Sequence, residues 1–281
     1  MLMAGYDLNC SILLGDLPLL HRPSAARAAG FSAVEFWWPF DVAVPPGRDV
    51  DAFVGAIRDA GVCLVGLNFY AGDMAAGDRG LMSQPARSSE FRDSVQVALD
   101  IGRRLGCTLF NALYGNRVTH ASTTVQDDTA LENLKFAARS AAADGATVLI
   151  EAISGAPAYP LRTPQDVAKV VAAAEESNLA MLADLYHFAV NGVDVGWAID
   201  AYRTLIGHVQ IADAPGRGAP GSGSLNLGGY LKQLYDGGYA GWIGLEYQER
   251  GDDPFAWLPR QSRGADHADE SVAPRVRMES P

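Results

Sequence analysis

Eight short runs dense in β-branched and aromatic residues recur along the chain at intervals of about 35 residues, with longer stretches of helical periodicity between them. They are YDLNCSILL from residue 6, SAVEFWW from 32, VCLVGLNFY from 62, CTLFNALYG from 107, TVLIEAI from 147, LAMLADLYH from 179, IGHVQIAD from 206 and GWIGLEYQ from 241. Strands that alternate with helices from end to end run parallel, because a parallel partner is reached only by a long crossover. Eight such units point to one α/β domain, a closed (β/α)₈ TIM barrel.

The intervening segments carry helix signals of their own. Thr163 stands as an N-cap, Pro164 at the first helical position and Asp166 in the first turn. Val167, Val170, Val171 and Ala174 follow at helical spacing as one apolar stripe. The segment from Phe91 repeats the pattern with Val95, Ala98, Leu99 and Gly102, and Gly106 sits where a left-handed C-terminal cap is wanted. An open dinucleotide-binding sheet would need G-x-G-x-x-G directly after a strand, and the chain has none. The glycine-rich stretch 216–224, GRGAPGSGS, is read instead as a βα loop beside the site.

At 281 residues the chain matches one barrel of roughly 250 residues, assigned here to 1–258. From Pro259 onward the sequence has no aromatic residue and no apolar periodicity, so 259–281 is expected to be a flexible tail. The formal charge of −11 repels phosphate backbones and anionic lipid, which argues against nucleic acid as a partner. Three scattered cysteines without a C-x-x-C pair suggest neither a disulfide framework nor a thiolate zinc site. No leader-like N-terminus and no apolar stretch of about 18 residues is present, so the expected setting is the cytoplasm, away from membranes. Assembly into a homo-oligomer is left open.

In a barrel the chemistry sits at the C-terminal ends of the strands. The polar residues there are Glu35, Asn68, Asn111, Glu151, Asp184, Gln210 and Glu246. A carboxylate inside an apolar strand is costly to bury unless it is paired or bound to a cation. Glu151, Asp184, Gln210 and Glu246 come from four successive strands and offer only oxygen, which favours a hard divalent ion, Mg²⁺ or Mn²⁺. His208 shares the inward face with Gln210 and is read as a satisfied interior histidine. His187, just after Asp184, is a candidate donor to a substrate oxygen. Asn68 and Asn111 are candidate substrate contacts, and Trp37, with Trp38, a candidate wall over the substrate.

The strings GYDLNCSILLGDLPLL, VEFWWPFD, NFYAGDMAAGDRG, EFRDSV, DLYH, GHVQIADAPGRGAPGSG and GLEY resemble the hydroxypyruvate isomerase family of the xylose-isomerase-like barrels, over nearly the whole chain to about Leu258. The resemblance implies that Glu151 and Glu246 are the acid/base pair and share a metal with Asp184 and Gln210, the four residues reached above from strand position. A glutamine at 210, where related epimerases carry histidine, tilts the reading toward the hydroxypyruvate group. Tyr70, Met74, Ala152, Ser154, Ala214 and Ser224 depart from that group's pattern. All lie in βα loops or at strand ends, and they bear on the choice of substrate.

The implied reaction moves a carbonyl between neighbouring carbons of a small hydroxy-keto acid, hydroxypyruvate and tartronate semialdehyde, through an enediolate. Arg217, flanked by Gly216 and Gly218 in the loop after strand 7, is expected to grip the substrate carboxylate, because some local cation must overcome the net charge of −11. A rim ion pair of Arg217 with Asp213 or Asp73 is the alternative. The rival activities are a 2-oxo-tetronate isomerase or ketose 3-epimerase with the same residues, an inosose-dehydratase-like lyase, and a catalytically silent sugar-acid binding protein. An abasic-site nuclease on this barrel would want a His-rich cluster and a basic face, which the chain lacks.

Overall fold

The computed structural model describes residues 5–249, 251 and 253–264. Eight parallel strands close on themselves in chain order: β1 Tyr6–Asn9, β2 Ala33–Phe36, β3 Cys63–Asn68, β4 Leu109–Asn111, β5 Thr147–Glu151, β6 Leu179–Asp184, β7 Ile206–Ile211 and β8 Ile243–Leu245. Closure is made by β1, which pairs with β2 on one side and β8 on the other. All eight lie within the runs expected from the sequence, and each is shorter than its run. Side chains pack on both faces of a closed parallel sheet, so a strand such as β2 is buried at every position.

The outer ring comprises α1 Arg22–Ala29, α2 Gly47–Ala60, α3 Ser88–Leu105, α4 Thr123–Ala142, α5 Pro164–Ala174, α6 Leu185–Val190, α7 Val195–Tyr202 and α8 Leu227–Asp236. α5 starts as its sequence demands, with the Thr163 side chain accepting from Asp166 N and the Asp166 carboxylate returning the contact. α3 ends at Gly106 with φ +75°, a left-handed cap. Its inner face, Phe91, Val95, Ala98 and Leu99, is buried against the barrel, and each large apolar side chain so removed from water stabilises by about 1.5–3 kcal/mol.

Two helices, α6 and α7, fill the β6 to β7 crossover. Among the described residues no α-helix follows β8. The segment after it covers the gap, with Phe255 edge-on to Phe31 and Trp257 edge-on to Tyr6. Arg263 donates to the carbonyls of Leu258, Phe255 and Ala29, which ties the first residues of the expected tail to the end of α1. Residues 265–281 of that tail lie outside the described residues. No helix among the described residues is long and apolar enough to cross a membrane.

Candidate active site

The four residues expected to hold a cation all stand at one end of the barrel. Glu151 closes β5, Asp184 closes β6 and Gln210 is its register partner on β7, while Glu246 follows β8 directly. All are buried, from 1% to 6% exposed. Parallel strands in register carry the polar ends to one level, which is why positions far apart in sequence meet.

Glu151 accepts from Asn111 Nδ2 at 2.8 Å. Burial, then the charges of Glu246 and Asp184, raise its pKa well above the carboxylate range. Glu246 accepts from Arg217 Nη2 at 2.9 Å, from the indole N–H of Trp37, and from Asn9 Nδ2 at 3.4 Å. Burial pushes its pKa up to about 8 against the pull of Arg217. Burial and like charge thus raise the proton affinity of both carboxyls.

Arg217 lies in the loop between β7 and α8 with φ +56°, in the left-handed region that L-residues rarely adopt. Its guanidinium sits 2.9 Å from Glu246 and 3.4 Å from Asp184, over the Tyr186 ring at 5.4 Å. Its ion pairs are with these two carboxylates rather than with Asp213 or Asp73. Asp213 instead organises the loop. Its Oδ1 accepts from the Ala214 and Leu225 amides and its Oδ2 from that of Gly221.

His187 stands one turn into α6, where Asp184 caps the helix by accepting from the Tyr186 and His187 amides. Its Nδ1 accepts the backbone N–H of Ser154 at 3.0 Å, with Ser154 Oγ at 2.7 Å. Burial lowers the ring's pKa to about 4, so the imidazole is neutral and its one proton lies on Nε2. That N–H is 3.5 Å from Asp184 Oδ2 and 3.8 Å from Glu151 Oε1, beyond a good hydrogen bond to either.

The remaining sequence candidates divide. Asn111 and Trp37 join the site through the two glutamates. Asn68 is level with Asn111 on β3, half-buried, and its side chain bonds to no other described residue. Trp38 belongs to the rim, packed on Phe40 and Tyr70. His208 is interior, with Nε2 at 2.9 Å from Glu35. The site also contains Asn9, which was not singled out and bridges Glu35 and Glu246, and Ser154, read from the sequence only as a departure from the family pattern, which orients His187. The alternation of Asp7 and Asn9 in β1 was a visible signal for the first; the second was visible as a loop position bearing on substrate, though not as a partner of His187.

Two buried clusters have ligand atoms within 4.8 Å of one another, Glu151–Asp184–His187 and Asp7–Glu35–His208. In the first, His187 could offer Nε2 only if Nδ1 gave up the N–H of Ser154. Gln210 is better suited, because its Oε1 is buried without a hydrogen-bond partner, as is Asn111 Oδ1. A buried polar atom left unpaired costs about 1–3 kcal/mol. An unpartnered amide oxygen among carboxyls whose charges repel each other fits a hard divalent cation.

The family profile for the xylose isomerase-like TIM barrel matches residues 23–270. A Streptomyces coelicolor protein named "Putative hydroxypyruvate isomerase" is 51% identical over 92% of this chain and 97% of its own. The 2-oxo-tetronate isomerase of Cupriavidus necator is 36% identical over 88% of this chain and 94% of its own. Among solved structures, a family 2 AP endonuclease from Brucella melitensis superposes with a TM-score of 0.82 at 32% identity, covering 91% of this chain and 98% of that one.

Proposed function

The chain belongs to the hydroxypyruvate isomerase family of xylose isomerase-like TIM barrels, and on that premise we propose that it interconverts hydroxypyruvate and tartronate semialdehyde, with Glu151 and Glu246 moving the protons. It is an aldose–ketose type isomerase. The observation that carries the choice of an acid substrate is Arg217, a cation held 2.9 Å from one of the two proton-transferring glutamates.

In the forward direction C3 of hydroxypyruvate loses one proton and its hydroxyl another, while C2 and its oxygen each gain one. No proton, electron or co-reactant is consumed. One glutamate, as carboxylate, takes the C3 proton and gives the enediolate; the hydroxyl proton passes from the oxygen on C3 to the oxygen on C2, and the other glutamate, as carboxylic acid, protonates C2 to complete the product. His187 Nε2–H donates to a developing oxyanion without surrendering its proton, since Nδ1 is held by Ser154. Arg217 meets the substrate carboxylate with its planar fork. The indole of Trp37 and the amide of Asn111 hold the two glutamates in place. Glu151, Asp184, Gln210 and Glu246 would hold Mg²⁺ or Mn²⁺, which supplies Lewis-acid stabilisation of negative charge on neighbouring oxygens.

The four-carbon acid named for the Cupriavidus relative carries the same oxo-acid group and would satisfy the same residues. Phosphate backbones would not, given the net charge of −11. The deciding experiment follows the Mn²⁺-loaded enzyme by NMR in D₂O with hydroxypyruvate, a 2-oxo-tetronate and a neutral ketose. Deuterium at C2 of newly formed tartronate semialdehyde supports the proposal. Preference for the ketose, or no exchange into any of the three, overturns it.

A further inference from the structure

We propose that Glu35 is a positioning residue that sets the Gln210 amide with its oxygen, rather than its NH₂, offered to the cation. The inference rests on the reading of Gln210 as a metal ligand. A side-chain amide has a donor end and an acceptor end of nearly equal shape, and only its hydrogen bonds decide which way it faces. A cation takes the oxygen alone.

Glu35 reaches inward from β2 and is 3% exposed. Its Oε1 accepts from Gln210 Nε2 at 2.6 Å and from Asn9 Nδ2 at 2.9 Å, and its Oε2 lies 2.9 Å from His208 Nε2. Asn9 is itself locked, since its Oδ1 accepts from the Ser11 and Ile12 amides. A flipped Gln210 would set its oxygen against Glu35 Oε1, two acceptors in contact with no hydrogen between them. The orientation that remains leaves Gln210 Oε1 buried and unpartnered.

The barrel wall is shaped for this pair. Gly244 on β8 is the register partner of Gln210, and a Cβ there would stand 2.9 Å from Gln210 Cγ and 3.0 Å from Glu35 Oε1. Any side chain at that position would push the two apart. Asp7, Glu35 and His208 also lie close enough to form a cation site of their own. Both oxygens of Glu35 are already engaged by donors or by the His208 ring, which favours a role toward Gln210.

The test is a double-mutant cycle on Mn²⁺ affinity, measured by calorimetry on the full-length, chelator-stripped protein, with thermal midpoints to confirm folding. Glu35→Leu should weaken Mn²⁺ binding by about 10–100-fold, the usual effect of removing a group that orients a ligand. In a Gln210→Ala background the same substitution should have no further effect beyond about twofold. Glu35→Gln can keep its carbonyl oxygen toward Asn9 and Gln210 and should bind within about threefold of wild type. If Glu35→Leu does not fold, Glu35→Asp keeps the charge but withdraws the acceptor, and should show the same dependence on Gln210. Equal losses in both backgrounds, or Glu35→Gln as weak as Glu35→Leu, would overturn the proposal. So would a second Mn²⁺ per chain that Glu35→Leu abolishes. A wild-type protein that binds no Mn²⁺, or a Gln210→Ala variant that binds it normally, would overturn the metal reading itself and this inference with it.

Discussion

His187 receives the backbone N–H of Ser154 on Nδ1 at 3.0 Å, which leaves its proton on Nε2 and aims a donor between Glu151 and Asp184. A ring nitrogen that carries hydrogen cannot coordinate a cation. His187→Asn should therefore leave Mn²⁺ affinity within about threefold while lowering kcat/KM about 100-fold, the effect of losing one preorganised donor. Calorimetry and steady-state kinetics on the same variant check both halves. Collapse of Mn²⁺ binding would make His187 a ligand.

Glu151→Gln and Glu246→Gln should each lower turnover by about two to four orders of magnitude, as expected for positioned acid/base groups. Circular dichroism should show the barrel intact in both. Near wild-type turnover of either variant at saturating Mn²⁺ would sink the paired-glutamate mechanism.

Arg217 separates acid from neutral substrates. Arg217→Lys keeps a positive charge but loses the planar fork, so KM for hydroxypyruvate should rise with little change in thermal midpoint. Arg217→Met should weaken anionic substrates far more than a ketose. Equal losses for both classes would assign Arg217 to holding Glu246 and Asp184 rather than to the substrate.

Cation binding should tighten as pH rises. Glu246 titrates near 8 when no cation is bound, above its ordinary value of 4.5, and Glu151 is also raised. Protons therefore compete with the cation at Glu246 below about pH 8, and they compete at the raised Glu151 as well. The raised groups favour the folded chain at low pH, and that contribution is lost as pH climbs from near 4.5 through about 8. Stabilisation by Mn²⁺ should thus be larger at pH 8 than at pH 6, approaching about 2.7 kcal/mol at a hundredfold excess over Kd. Thermal midpoints with and without EDTA at the two pH values measure it; equal increments would mean that these carboxyls do not meet the cation.

The strands and the level at which Glu151, Asp184, Gln210 and Glu246 meet were legible because a parallel barrel is collinear with its chain: each strand ends on the same rim, so a polar residue at each end is enough to place it. Glu35 was visible as a polar residue in β2, but its partners were not. Asn9 is its register partner on β1, 26 positions away, but its contacts with His208 and Gln210 span 173 and 175 positions and reach across the barrel interior to β7, which only the closed ring brings within range. The bond from Ser154 to His187 is made by a main-chain N–H, which every residue but proline possesses, so no side-chain pattern announces it. Asp7 is fully buried, neither of its oxygens has a hydrogen-bond partner, His208 Nε2 stands 4.0 Å from its Oδ2, and burial with the charge of Glu35 raises its pKa well above normal. The alternation in β1 places it inside the barrel, yet no property of the sequence says why a carboxyl is kept there.

Asp213 binds amides at both ends of the loop that carries Arg217, Ala214 at the start and Leu225 at the finish. The span between them is closed on itself like a link in a chain, its two ends held by one carboxylate. Variation there can retune which anion is gripped while the barrel beneath is left untouched. Within the stretch Gly223 is fixed by the loop's own geometry, since a side chain there would collide with the Ala214 carbonyl and the Asp213 carboxylate, and Arg217 by its hold on Glu246 and Asp184.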